Sequence, residues 1–230
     1  MLVRSLAAAA LMTLGASAAH ADWEGDLEMK DARMGARGGP PTSGKLRFKD
    51  GKLRMDVAMG PMKLVSLVHF KERKSFLINE ASKSYSEMSA GGMGPGSQLP
   101  HCSSPIFKKC MTEQGFKKVG AEEVNGQACS VWEGDRKGPH GSVHEKLWHP
   151  YAAGDEFAMV RAVRQGERGP SEMNVLNWTQ TPQEAAQFEV PEGYTKSEGF
   201  PGMQMGPPGR KGFKPKPGGP TGGETKEKDE

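Results

Sequence analysis

The sequence predicts a mainly β protein, an α+β chain in which a curved antiparallel sheet carries one or two short helices. Three observations lead there. The stretch "KLRFKDGKLRMD", residues 45 to 56, sets Asp50-Gly51 between alternating apolar and polar residues, the pattern that closes a two-residue hairpin loop. "WEGDLEM", residues 23 to 29, alternates throughout, as a half-buried strand does. Further short strand candidates follow at 63–70, 74–79, 84–88, 116–124, 128–133, 143–148, 156–164 and 171–180, divided by turn signals of which Asn125-Gly126 is the sharpest. Short strands with one wet face each imply an antiparallel sheet rather than alternating strands and helices.

The N-terminus reads as a signal peptide. Arg4 gives a positive n-region, Leu6 to Leu14 an apolar h-region too short to span a bilayer, and Ala19-His20-Ala21 a cleavage site of the A-x-A kind. Cleavage after Ala21 starts the mature chain at Asp22, in the periplasm or secreted. No cysteine follows the h-region and no later apolar run approaches the ~20 residues of a membrane-spanning helix. Formal charge is +3, from 31 Lys and Arg against 28 Asp and Glu. That balance excludes nucleic acid as a partner, since its binders concentrate positive charge.

After the first strand comes a Gly/Pro-rich loop, residues 35 to 44, and then the hairpin. Closure at Asp50-Gly51 sets Phe48 opposite Leu53 and Leu46 opposite Met55 on one face, and Arg47 opposite Arg54 and Lys49 opposite Lys52 on the other. Like charges face to face are mildly destabilising. With the first strand beside the hairpin, Glu24, Asp26 and Glu28 offset Lys45, Arg47 and Lys49. This face is then either a solvated charge ladder or a dock for anionic membrane or envelope polymer. In "SSPIFKKCMTEQG", Ser104 is the N-cap of a helix, Pro105 its first residue and Gly115 lies beyond its end, with Ile106, Phe107, Cys110 and Met111 on one face. "TPQE", residues 181 to 184, has the spacing of a capping box and starts a single turn. Residues 89–100 form a flexible insert and 199–230 a disordered Gly/Pro/Lys tail, too poor in apolar residues to offset their ordering entropy. Residues 22–198 remain as one domain.

The apolar side of the strands is rich in methionine. Met29, Met55, Met159 and Met173 fall at inward positions beside Leu27, Leu53, Phe157 and Val175. Methionine fills irregular space and adapts to varied apolar shapes, so this face is either a packed core or the wall of a hollow. One alternative is a structural envelope-associated protein whose "RKGFKPK" tail holds anionic polymer; the other is copper or zinc binding. "HGSVHEKLWH" resembles a zinc-protease motif but sets His144 and His149 five apart, on opposite faces of a strand, and leaves His140 and His144 as the candidate ligands. Met59, Met62, Met203 and Met205 would be the soft donors beside them. No G-x-S-x-G, P-loop or dinucleotide fingerprint is present. Cys102, Cys110 and Cys129 lie in a chain bound for an oxidising space, where one disulfide and one spare thiol are the default. A helix starting near Pro105 carries Cys110 away from Cys102, which leaves a bond from Cys110 or Cys102 to Cys129, with Cys110–Cys129 the favoured pair.

Three strings carry a family resemblance: "LINEASKSYSEM" (77–88), "KKVGAEEVNGQACSVWEG" (117–134) and "FEVPEGYTK" (188–196). Together they resemble the secreted bacterial domain-of-unknown-function family numbered 4412, itself similar to the LolA-like half-barrel carriers of lipoproteins. The closing Phe188, Val190, Pro191, Gly193 and Tyr194 are the most specific part. The resemblance implies an incomplete antiparallel barrel wrapped over helices, with an apolar hollow; the 89–100 insert and the tail depart from the plain pattern. The expectation is a LolA-like half-barrel that binds an apolar or lipid-like small molecule without catalysis or cofactor. Its candidate lining is Leu27, Met29, Phe48, Met55, Phe157, Met159 and Met173, gated by Ile106, Phe107 and Met111.

Overall fold

A computed structural model describes residues 22–31, 42–59, 62–89, 104–138, 141–167 and 169–198. The expected signal peptide, nearly all of the 89–100 insert, the tail, Cys102 and His140 lie outside the described residues. The elements run β1 (Trp23–Asp31), β2 (Thr42–Lys49), β3 (Lys52–Met59), β4 (Met62–His69), β5 (Lys74–Asn79), β6 (Ser84–Ser89), α1 (Phe107–Glu113), β7 (Lys117–Val124), β8 (Gln127–Gly138), β9 (Gly141–Pro150), β10 (Arg161–Gly166), β11 (Gly169–Gln180) and β12 (Thr195–Lys196). The twelve strands make one sheet in the order β12-β6-β5-β4-β3-β2-β1-β11-β10-β9-β8-β7. Every pair is antiparallel except β12 with β6. The end strands of this order do not pair with each other, so the sheet is an unclosed barrel.

The β2–β3 hairpin has the register expected from its loop: Phe48 with Leu53, Leu46 with Met55, Arg47 with Arg54, and Lys49 with Lys52. Asp50 (φ 49°) and Gly51 (φ 79°) both take positive φ, which a type I′ turn demands. β1 pairs with β2 on one side and β11 on the other, so the first strand joins the two halves of the sheet.

Ring contacts show how far the sheet curls. β2 and β8 are five strand steps apart, about 24 Å on a flat sheet. Phe48 lies 6.4 Å from Phe157, Phe157 6.0 Å from Phe107, and Phe107 5.9 Å from Trp132. Three contacts thus join β2 to β8 across the concave side, with α1 in the middle. Trp23 stacks on Phe48 at 6.0 Å and its Nε1–H donates to the Phe157 carbonyl at 2.9 Å. That bond satisfies a donor that would otherwise be buried bare.

α1 starts later than the sequence suggests. Ile106 is extended (φ −79°, ψ 112°) because its backbone bridges to Glu156, and the Phe107 N–H donates to the Asp155 carbonyl at 2.8 Å. Ser104 is not the N-cap: that position is Ile106, which makes no side-chain cap bond, and the Ser104 Oγ instead accepts from the Ile106 N–H at 3.2 Å, ahead of the helix. The far end is a Schellman motif, Phe116 N–H to Met111 O at 2.9 Å and Gly115 N–H to Thr112 O at 3.1 Å, with Gly115 at φ 80°.

Three further expectations are corrected. The strand foreseen at 156–164 begins at Arg161. Phe157, Ala158, Met159 and Val160 are all fully buried, so that run is core on every side and has no wet face. Nor does each strand have one wet face: Val65, Leu67 and Ile78, with Phe76 and Tyr85, form a second cluster on the convex side, and Val190 and Tyr194 pack over it. The turn foreseen at 181–184 lies four residues on, a 3-10 helix over Ala185–Phe188. From there the chain straps the convex side. Arg54 donates to the Gln187 carbonyl (2.8 Å), His69 Nε2 to the Phe188 carbonyl (2.8 Å), and Lys52 pairs with Glu189.

Candidate functional site

Strand parity points one set of side chains into the concavity. Leu27, Phe48, Met55, Met173, Ala162, Leu147 and Trp132 come inward from the strands and meet Phe107 and Met111 of α1 and Phe157 and Met159 of the connecting run, all in one buried cluster. Of the ten residues foreseen as lining, Met29 sits half-buried at the margin of this cluster and only Ile106 stands apart, 44% exposed. Ile106 precedes the helix rather than belonging to it, so it does not share the face of Phe107 and Met111. Four methionines, Met55, Met111, Met159 and Met173, are almost wholly enclosed.

At the strand ends the same concave face turns polar. Leu147 and Ala162 point inward, and by period two so do Glu145, Arg164 and Arg136. Glu145 is fully buried, its Oε1 accepting from Arg164 Nε at 2.7 Å and lying 2.6 Å from Nη2, while Arg136 Nη2 lies 3.6 Å from Oε2. Burial pushes the Arg164 guanidinium down from its ordinary value, and Glu145 works against that shift. This group was not foreseen from the sequence. Its signal was the parity of "HEKLW", which sets Glu145 beside Leu147 on one face.

The convex cations of the β2–β3 hairpin are balanced within the chain. Lys45 meets Glu24 at 2.8 Å and holds its carboxyl below the usual range. Lys49 meets Asp22 at 2.7 Å, Arg47 pairs with Asp56 and reaches Glu24 at 3.5 Å, and Arg54 pairs with Asp56 at 2.7 Å. Asp56 therefore sits between two guanidiniums that face each other across the hairpin, which offsets their repulsion.

The histidines do not assemble. His144 is on the exposed face, 3.0 Å from Asp135. His149 points the other way, 5% exposed, stacked on Phe107 at 4.0 Å with Nε2 donating to the Glu156 carbonyl at 2.9 Å; burial holds it below the ordinary histidine value. Among the described residues no group of three His, Cys, Asp or Glu side chains is placed to hold a metal ion. The expected Cys110–Cys129 bond is not made, because Cys129 is a free thiol and Cys110 is disulfide-bonded elsewhere. Parity gives the reason. Cys129 shares its face with Val131, opposite to Trp132, whereas α1 packs on the Trp132 side. Since α1 starts at Phe107 rather than Pro105, Cys110 also lies in its first turn, which removes the argument against a nearer partner. Burial pushes the Cys129 thiol up to about 11, far from the range of a reactive nucleophile.

No protein-family model matches the chain, and no curated protein matches it. The family resemblance drawn from the motifs thus gains no model match. Among solved structures, the chain is similar to an uncharacterized conserved protein from Thermus thermophilus (TM-score 0.47, 9% identity, 76% of this chain and 89% of that one). It is also similar to the lipoprotein LppX from Mycobacterium tuberculosis (0.38, 11%, 71% and 89%) and to LprF from Mycobacterium bovis (0.36, 13%, 72% and 88%).

Proposed function

We propose that this chain is an exported, non-enzymatic binder of an apolar, lipid-like small molecule, taken up between α1 and the concave face of the open sheet. One observation supports the reading above the others: four methionines from β3, α1, the 157–160 run and β11 enclose a face that is spanned by a single seven-residue helix. Unbranched thioether chains repack around a guest at low cost. A short helix held at its start by the backbone bonds of Phe107 and Phe157 is an element that can lift while the sheet stays intact. A guest enters by displacing α1, and the side chains that now fill the face become the wall of its site.

The test is solvent extraction and mass spectrometry of protein purified from the compartment to which it is exported. The reading expects a hydrocarbon-bearing molecule in stoichiometric amount, and saturable uptake of an acyl-chain fluorophore by the stripped protein. It expects that uptake to fall by at least about tenfold in a folded Met111→Glu variant, which sets a charge against the guest. Stripped protein that leaves the fluorophore unbound removes the reading.

A further inference from the structure

We propose that the convex face of β1–β4 holds a second site, for a short linear peptide with free ends. A groove of about 490 Å³ crosses these strands, within the size range of small-ligand sites. Two rows of outward residues line it. One runs Glu28, Ser43, Ala58, Lys63 and the other Asp26, Lys45, Asp56, Val65, each residue paired with the next across the sheet. The groove exists because its floor is small: Ser43 and Ala58 lie between the longer side chains of the two rows.

The charges along the groove select the occupant. Lys45 is spent on Glu24, Asp56 on Arg47 and Arg54, and Asp26 accepts from Asn177 Nδ2 at 2.8 Å. Glu80 lies 4.0 Å from Arg54. Glu28 at one end and Lys63 at the other are paired with nothing among the described residues. Their backbones are three strand spacings apart, about 14 Å. An extended peptide covers about 3.3–3.6 Å per residue, so three or four residues set an ammonium against Glu28 and a carboxylate against Lys63, two charge-assisted contacts with nothing left over. The backbone groups of β1–β4 are committed to neighbouring strands, so the peptide lies across the strands and does not extend the sheet. This site is on the opposite face from the methionine cluster and stands independently of the ligand proposed there.

The experiment is an amide-shift NMR titration of the mature chain, residues 22 to 230, with tetra-alanine bearing free termini, and with the same peptide acetylated and amidated. Free tetra-alanine is expected to shift β1–β4 amides saturably, and capping both ends to weaken it by more than about tenfold. Glu28→Gln and Lys63→Gln are each expected to weaken binding severalfold, and Ala58→Phe, at an exposed position, to abolish it with the thermal transition retained. Absence of shifts at several millimolar peptide, shifts confined to other strands, or equal binding of the capped peptide overturns the proposal. Should Ala58→Phe fail to fold, the two charge variants decide the matter.

Discussion

Glu145→Ala would remove the carboxylate from between Arg164 and Arg136. Glu145 has no solvent exposure and the Arg164 side chain only 11%, so water cannot replace what the carboxylate supplies. Two contacts at 2.6 and 2.7 Å to Arg164 and one at 3.6 Å to Arg136 are lost. Breaking a buried pair by deleting one partner costs about 3–5 kcal/mol, because the remaining charge stays desolvated. For a domain of this size that corresponds to a fall in melting temperature of roughly 10 °C. Urea unfolding followed by tryptophan fluorescence would read it, with Glu145→Leu/Arg164→Leu as the second arm. Replacing both partners by apolar side chains is expected to recover most of the loss, and added salt at about 0.5 M, which screens buried pairs weakly, to leave the gap unchanged. A Glu145→Ala loss below about 1 kcal/mol, the range of exposed pairs, would refute the argument that this group is held out of water by the curled sheet.

Thiol titration of the oxidised protein should find no reactive cysteine in the native state and one, Cys129, after unfolding, since its thiol is buried with a pKa of about 11 and Cys110 is disulfide-bonded. Gly44→Ala should cost upward of about 2 kcal/mol or block folding, because a Cβ there meets the Asp56 carbonyl oxygen at 1.9 Å; a melting curve reads it. Lys196 first, and Lys74 with it, hold Glu87 down to about 2. With the folded value below the unfolded one, the grip of β6 on β12 is complete above the ordinary carboxylate range and is lost as pH falls towards about 2. Hydrogen exchange at Thr195 and Ser197 should quicken over that window, and Glu87→Gln should quicken it at neutral pH.

What could be read in advance was local. Asp50-Gly51 settled the β2–β3 register, because a two-residue loop leaves one alignment and every inward and outward assignment follows from it. The inward set followed from period two, so most of the foreseen lining residues do meet. What could not be read depends on partners distant in sequence. The run "LVSLVHF", residues 64 to 70, is buried on both faces because the segment from Phe188 to Tyr194 returns to cover its convex side. Such a run signals two-sided burial, but not by what. Ile106 left the helix because Glu156, far along the chain, claimed its backbone. Cys129 was misassigned for want of one fact, which side of β8 carries α1.

The most direct test of the central claim is NMR of methionine methyl groups labelled with carbon-13, titrated with a detergent-free acyl-chain ligand. The reading predicts that the methyls of Met55, Met111, Met159 and Met173 shift together and saturate, since all four enclose the same face. Unchanged resonances for these four while the ligand is soluble and in excess would contradict it, and would leave the concave face as packed core alone.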